Sequence, residues 1–250
     1  TYGARLHRDR EKTVEEIGEV ITQARHQRGN LLIPAFAVGR SQEILYYLAQ
    51  YYEQWEVDRW QVFLDSPMAI KASKVYWEFA NLYDQEASDL RLKVRQMPVL
   101  GNLHLTSSPE ESMAINQIDS GAIIIAGSGM CNGGRILHHF KQNISHSGTQ
   151  IMIVGYQAEG TLGRRLVEGQ EQVKIHGKYY HVRAKVHTVG GLSAHADQED
   201  LLQWISNFKT HPTVHIVHGE PESKEVLWTR LKEDHQLNAT IPGPGEIVKL

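Results

Sequence analysis

A loop that runs from Gly190 to Asp197, Gly-Gly-Leu-Ser-Ala-His-Ala-Asp, carries residue types suited to chemistry on a bound substrate. Its two glycines allow the backbone to approach a ligand closely, and a histidine in such a loop, His195, can act as a general acid or base. Asp197 precedes a helical pattern, so it either orients the histidine or caps the helix. A surface histidine beside a capping aspartate explains the same residues without chemistry, and the motif alone leaves both interpretations open.

A second histidine, His218, follows the apolar run Thr213–Val217 and precedes a glycine. Residues at this position, just past the end of a strand, often hold a ligand, so His218 is a candidate metal ligand. His215 lies three residues earlier and would face the opposite side of an unbulged strand. The two histidines are therefore not expected to bind one metal ion, and a structural role is predicted for His215.

Two glycine-rich turns, Gly127–Gly134 and Gly160–Arg165, each lead from a strand pattern into a helix pattern. Such a turn can cradle a phosphate at the start of the helix. The glycine spacing of the first does not fit a dinucleotide fingerprint, and no acidic partner follows about twenty residues on, so a site for NAD is not expected. A general anion cradle and plain helix–sheet packing remain the alternatives.

Other reactive or aromatic side chains are explained by burial, solvent exposure or core packing, without a functional role. Cys131 has no histidine beside it, and a buried thiol is a better interpretation than a nucleophile. His138 and His139 lie within a helix pattern and are predicted to be solvated. Tyr46, Tyr47, Tyr51, Tyr52 and Trp55 follow helical spacing, which is more typical of a core than of a platform for stacking bases.

Short apolar runs alternate with helical patterns along the chain, which predicts an α/β fold around a mostly parallel sheet. In such sheets the working residues follow the carboxyl ends of the strands. A hairpin is expected at Gly177 within a β-rich stretch, and the glycine pair Gly190–Gly191 suggests a domain boundary. Strands are predicted at 30–38, 60–64, 122–126, 150–154 and 213–217, extended chain at 97–105, a β-rich stretch at 173–189, and helices at 14–28, 40–53, 68–83, 108–117, 134–142, 160–167, 197–208 and 222–237.

The composition describes a globular protein of 250 residues, with 41% hydrophobic and 22% charged residues, and excludes a disordered tail or a collagen-like fibre. No run of eighteen apolar residues occurs, so no membrane partner is expected. The net charge of −3 gives no bulk attraction for nucleic acid. The single cysteine, Cys131, excludes an intrachain disulfide and fits a reducing, cytoplasmic location.

Taken together and in order, several runs resemble the β-CASP nucleases of the metallo-β-lactamase superfamily, such as the cleavage-and-polyadenylation endonuclease and its bacterial RNA-processing relatives. The resemblance covers essentially the whole chain. The matching runs are Tyr2–Gly3, Ile33–Glu43, Asp65–Ala69, Gly127–Met130, Gly155–Tyr156, Gly160–Gly163, Ser193–Asp197 and Val217–Glu220.

The resemblance implies hydrolysis of RNA phosphodiester bonds at two zinc ions, held between a metallo-β-lactamase domain and an inserted β-CASP domain. By match, His218 is a zinc ligand, His195 interacts with the scissile phosphate and leaving group, and Ser193 is a candidate phosphate contact. We also expect Gly129 to contact the substrate, and the loops at Ser128 and Ser193, together with two cations, to face one common cleft that binds the RNA phosphates. The two cations are Arg40 and Arg164.

The family's main ligand cluster, His-x-His-x-Asp-His, does not occur in the sequence, and neither do its other upstream ligands. We therefore expect this sequence to be the C-terminal portion of a longer nuclease and to be inactive alone. Residues 8–191 are predicted to form the β-CASP domain. Residues 1–7 and 192–250 are predicted to belong to a metallo-β-lactamase αββα fold, of which they form the closing segment.

The sequence thus predicts a zinc-dependent ribonuclease that acts on RNA, with a homodimer as a further expectation. One alternative is a non-catalytic RNA-binding or scaffold subunit of an RNA-processing complex, and the presence of the upstream metal ligands would distinguish the two. Another alternative is a hydrolase of small phosphorylated or ester substrates. The inserted domain disfavours it, because a second domain that closes over the site suits a polymer.

Overall fold

A computed structural model of the protein describes residues 3–94 and 100–248, without the side chains of 91–94. It divides into two compact units. The larger unit is Arg10–Gly190, and the smaller one combines the residues up to Asp9 with those from Gly191 onward. The assignment of the smaller unit to a metallo-β-lactamase domain stays a prediction.

The larger unit consists of parallel strands connected by helices. Its strands are β1 (Leu31–Pro34), β2 (Gln61–Asp65), β3 (Leu103–Leu105), β4 (Ala122–Ala126), β5 (Gln150–Ile153), β6 (Gln172–Ile175), β7 (Lys178–His181) and β8 (Lys185–Thr188). Its α-helices are α1 (Arg10–His26), α2 (Arg40–Gln50), α3 (Pro67–Glu78), α4 (Gln85–Val94), α5 (Pro109–Ile115), α6 (Ile136–Asn143) and α7 (Leu162–Val167), with short 3-10 turns at Val57–Arg59 and Ala80–Leu82.

Six of these strands form one sheet in the order β3–β2–β4–β1–β5–β8, with every neighbouring pair parallel. The central strands β1, β4 and β5 are buried along their whole length, which their mostly apolar residues allow in a sheet covered on both faces. The prediction of an α/β fold with a mostly parallel sheet is confirmed. Because the strands are parallel, their carboxyl ends meet at one edge of the sheet.

The β-rich stretch 173–189 divides between two sheets. Strands β6 and β7 pair antiparallel around Gly177, whose φ of 84° suits the tight turn that was predicted. Strand β8 instead leaves the hairpin and pairs parallel with β5. Alternation of apolar and polar residues identifies a strand but not its partner, which explains the difference.

The smaller unit contains α8 (Gln198–Ser206), β9 (Val214–His215), α9 (Pro221–Glu233) and β10 (Ala239–Thr240). Strands β9 and β10 pair in parallel. Both helices contribute to one apolar core through Leu202, Ile205, Leu227 and Leu231.

Several element boundaries differ from the prediction. Strand β1 ends at Pro34, so Phe36 and Val38 leave the sheet, and β9 covers only two residues of the predicted 213–217. Helix α3 ends at Glu78, before a 3-10 turn, instead of continuing to Tyr83. Helix α4 was not predicted; its signal is Asp84, whose Oδ1 accepts the Ala87 N–H at 2.8 Å as a helix cap does. Part of the extended chain predicted at 97–105 lies outside the described residues.

None of the helices in the described part of the chain has the length and apolarity that crossing a bilayer needs.

Candidate functional site

The carboxyl edge of the sheet brings three predicted phosphate-binding segments together. Strand β1 lies between β4 and β5, so the loops that follow these three strands are neighbours. Ser128 and Gly129 follow β4, Arg40 begins the helix after β1, and Arg164 belongs to the helix after β5. The structure thus places four of the predicted substrate-binding residues around the same edge of the larger unit.

The glycine-rich loop after β4 is closed by its own hydrogen bonds. The Ser128 hydroxyl accepts the N–H groups of Asn132 at 3.1 Å and Gly133 at 3.3 Å. Gly134 has a φ of 76°, and a Cβ there would lie 2.3 Å from the Gly127 carbonyl oxygen. Glycine is therefore required at position 134, and the Ser128 hydroxyl oxygen braces the loop by accepting both N–H groups.

This loop is also tied to the loop after β5. The Gln157 side-chain amide donates to the Gly129 carbonyl oxygen at 2.9 Å. The Gly163 N–H donates to the Met130 carbonyl oxygen at 3.3 Å. Within residues 3–94 and 100–248, the N–H groups of Gly129 and Met130 donate to no protein acceptor. Two successive backbone donors on a braced loop can bind a phosphate oxygen.

The two predicted cations each contact a carboxylate on their own helix. The Arg40 guanidinium pairs with Glu43, one turn along α2. The Arg164 Nε lies 2.6 Å from the Glu168 carboxylate. Contact of either arginine with RNA would therefore compete with an existing ion pair, and the phosphate-binding role of both stays a prediction.

A buried carboxylate at the end of β2 anchors this edge of the sheet. Asp65 is fully buried and accepts hydrogen bonds from Thr106 at 2.7 Å, Ser112 at 2.6 Å and Arg135 at 2.7 Å. His139 Nε2 lies 2.7 Å from its second oxygen. Burial alone would raise the pKa of Asp65, but the hydrogen bonds from His139, Ser112, Thr106 and Arg135 outweigh it and hold the pKa at about 2.

Sequence reasoning missed this cluster. His139 was expected to be solvated, and that prediction is wrong, because its side chain is buried against Asp65. Only His138, its neighbour, is exposed. The available signal was the spacing of Arg135 and His139, which puts a cation and an imidazole on the same helix face.

In the smaller unit, His195 is exposed on a loop that is fixed from several directions. The Asp197 carboxylate accepts the Asp200 N–H at 2.9 Å as the cap of α8, and it also accepts the His7 N–H at 2.7 Å. The hydrogen bonds from the backbones of Asp200 and His7 hold the pKa of Asp197 below its usual value. Of the two roles considered for Asp197, the structure shows the cap.

The other loop contacts hold the backbone of His195 itself. Nε2 of His7 lies 2.8 Å from the His195 carbonyl oxygen. The Ser193 hydroxyl accepts the His195 N–H at 3.2 Å. With its backbone held on both sides, His195 presents an exposed imidazole from a defined position, as a proton donor to a substrate requires.

His218 lies beyond the short strand β9, in an exposed left-handed backbone conformation with a φ of 60°. His215 has a separate role, because its Nδ1 lies 2.8 Å from the Thr240 hydroxyl on the neighbouring strand. The structure thus supports a structural His215, and the ligand role of His218 stays a prediction.

A cavity of about 700 Å³ lies elsewhere in the larger unit, among helices α1 to α4. Its lining contains one cation, Arg10, and four carboxylates, those of Glu11, Glu43, Asp84 and Glu86. An excess of carboxylates repels the RNA backbone, so this cavity is not the candidate nucleic-acid site.

Comparison with known proteins agrees with the observed architecture. Residues 41–166, inside the larger unit, match the model of the Beta-Casp domain. The chain belongs to the β-CASP family of the metallo-β-lactamase superfamily. Residues 179–242 match a second model, the Zn-dependent metallo-hydrolase RNA specificity domain. The matched segment of this chain contains Ser193, His195 and His218.

The β-CASP relatives include a ribonuclease and several termination factors. Ribonuclease TTHA0252 of Thermus thermophilus is 39% identical over 222 residues, which cover 89% of this chain and 50% of that protein. Transcription termination factor FttA of Pyrococcus abyssi is 31% identical over 259 residues, which cover 100% of this chain and 40% of that protein. The chain therefore spans half or less of the length of these relatives.

The second family description implies a metal cofactor and RNA recognition. Among the described residues, the group of donors that could hold a metal ion is His7, Asp197 and Asp200, whose ligand atoms lie within 4.8 Å of one another. His218 is not in this group, and Asp197 and His7 already hold the His195 loop. Zinc takes three or four protein ligands, and no group of three such donors among the described residues contains the predicted ligand His218.

Proposed function

We propose that the whole protein is a zinc-dependent ribonuclease that hydrolyses RNA phosphodiester bonds. The observation that carries this proposal is the exposed His195 on its braced loop, within a segment that matches an RNA specificity domain. The 39% identity to a protein named ribonuclease supports it.

In this proposal, His195 donates a proton to the oxygen that leaves as the phosphodiester bond breaks. Ser193, beside it in the loop, contacts the scissile phosphate. The loop at Ser128 and Gly129 holds another phosphate of the RNA through backbone N–H groups, which recognise the RNA backbone regardless of base sequence.

His218 is proposed as one ligand of a centre of two zinc ions. The remaining ligands would come from residues other than those of this sequence. For that reason we expect the 250-residue chain alone to bind zinc weakly and to lack activity. Equilibrium dialysis against zinc tests this directly, and two tightly held ions per chain would contradict it.

The alternative is a non-catalytic RNA-binding or scaffold subunit. Relatives named transcription termination factors match along the whole chain, so a role in termination is compatible with either form. Cleavage of a single-stranded RNA by the purified whole protein, lost on chelation of zinc, separates the two.

Two further proposals concern assembly and location. A homodimer is proposed for the whole protein, and light scattering after size-exclusion chromatography would measure its mass.

A cytoplasmic location is proposed because Cys131 has no second cysteine to pair with, and fractionation of cells would test it.

The roles of the two histidines can be separated by substitution in the whole protein. His195→Ala should lower the cleavage rate by about 10²–10⁴-fold, the contribution of a general acid, and leave zinc content unchanged. His218→Ala should lower both zinc content and rate. If His195→Ala loses as much zinc as His218→Ala, or cleaves at the normal rate, the proposed roles are wrong.

A further inference from the structure

Phe36 is a large aromatic residue on the surface at the carboxyl edge of the sheet. It follows β1, where an unbroken apolar run predicted that the strand would continue to Val38. The side chains of Phe36 and Val38 are instead 48% and 61% exposed.

The Phe36 ring packs against the glycine-rich loop that follows β4. A Cβ placed on Gly129 would lie 2.8 Å from Cδ2 and 2.9 Å from Cε2 of the ring. Only a glycine permits an approach this close. One part of the ring is thus in contact with the loop, and about half of the side chain faces solvent.

The backbone that carries the ring is held in place. The Phe36 carbonyl oxygen accepts both the N–H of Ser41 at 3.2 Å and its hydroxyl at 2.7 Å. Ala35 N–H donates to the Ala126 carbonyl oxygen at 3.0 Å. A platform with a fixed backbone loses little entropy when a flat ligand stacks on it.

We propose that Phe36 is a stacking platform for a nucleobase of single-stranded RNA, and that a phosphate beside that base lies on the N–H group of Met130, which is half-buried. This inference rests on the proposed function, because it assigns RNA to the same edge of the larger unit.

The chemistry of this edge fits a nucleotide better than an apolar partner. A nucleotide joins a flat apolar base to a phosphate. Here a half-exposed ring packs on a braced loop whose half-buried Met130 has an N–H that donates to no acceptor among residues 3–94 and 100–248. The carboxylate at the same edge, Asp65, is buried and paired with Arg135, so it does not confront a phosphate. Stacking tolerates any base, because every base has a π face.

The first test compares two exposed phenylalanines in the whole protein. Phe79 is 54% exposed and directly follows α3, so it lies about one helix length of 18 Å from the carboxyl end of β2. Phe36→Leu should raise the KM for a single-stranded oligoribonucleotide by about 5-fold to 100-fold, the range of one lost base stack. Phe79→Leu should leave KM unchanged, and Phe36→Tyr should restore it. Equal effects of the two leucine variants would overturn the proposal.

The second test measures stacking without cleavage. In a His195→Ala background, Phe36→Trp places a fluorescent ring at the site. Single-stranded RNA should quench the fluorescence of this variant more than that of the His195→Ala protein that keeps Phe36. An abasic oligonucleotide with the same phosphates should not cause this extra quenching. Quenching by both would overturn base stacking, and quenching by neither would overturn RNA contact at this ring altogether.

The two tests separate this proposal from the proposed function. If the wild-type protein cleaves RNA and Phe36→Leu cleaves it with unchanged KM, the ribonuclease stands and the stacking role is wrong. If no RNA is cleaved, but RNA quenches the tryptophan at position 36 and the abasic oligonucleotide does not, the stacking role stands without the ribonuclease.

Discussion

The imidazole of His7 contacts the main chain of His195: Nε2 lies 2.8 Å from the His195 carbonyl oxygen, across 188 residues of sequence. The backbone N–H of His7 donates to Asp197 at 2.7 Å, so the same residue holds the loop at two points. His7 is therefore a positioning residue for the proposed proton donor.

We expect His7→Ala to slow RNA cleavage by the whole protein by about 10-fold to 100-fold, because small displacements of a catalytic group are costly. Zinc content should be unchanged. His7→Gln keeps an N–H donor of similar reach and should recover part of the rate. His211→Ala, at an exposed histidine of the same unit, is the control. A glutamine variant as slow as the alanine variant would contradict a hydrogen-bond role.

Asp65 should make the protein sensitive to acid. Its pKa is about 2 in the folded protein against 3.8 ordinarily. A carboxyl group with a lowered folded pKa contributes stability above its unfolded pKa and loses it as the pH falls through the folded one. The free energy of unfolding should therefore fall by about 2 kcal/mol between about pH 4 and pH 2.

Urea unfolding at several pH values measures this loss. Asp65→Asn should already be less stable at neutral pH by about 3–5 kcal/mol, because the buried Arg135 ion pair loses its anion. Its stability should also depend less on pH in that window. Asp58→Asn, on the surface, is the matched control and should behave like the wild type.

Gly129→Ala tests the contact between the glycine-rich loop and Phe36. The new methyl group would collide with the ring, so we expect a loss of about 1–3 kcal/mol in the free energy of unfolding and weaker RNA binding. Gly133→Ala, in the same loop, meets nothing within 4 Å and should change neither quantity. Thermal unfolding and a filter-binding assay are sufficient, and equal effects of the two variants would contradict the contact.

Cys131 should be chemically inert in the folded protein. Burial raises the pKa of its thiol to about 12, so almost no thiolate exists at neutral pH. Iodoacetamide should therefore label it only after unfolding in urea. Cys131→Ala should also retain RNA cleavage within about 2-fold, since a thiol without thiolate is not a nucleophile. Rapid labelling of the native protein would show that the site opens.

Local sequence was sufficient for most of the strands and helices. The apolar run Ala122–Ala126 predicted β4 with the bounds that the structure shows, because a strand buried on both faces has an unbroken apolar pattern. Gly177 was likewise identifiable as a turn, since a turn depends on residues close in the chain. For Asp197 the sequence left the cap and the orientation of His195 as alternatives, and the structure shows the cap. The ordered motifs were sufficient for the family, which the match to the Beta-Casp domain confirms.

Contacts between distant residues were decided only by the tertiary structure. His139 was read as solvated because nothing near it in sequence shows that Asp65 lies opposite. Phe36 was read as part of a strand because its apolar side chain has the same pattern inside or outside a sheet. Periodicity records which residues are apolar, whereas the order of parallel strands determines which loops become neighbours. That order placed Phe36 against Gly129, and the fold of the smaller unit placed His7 against His195.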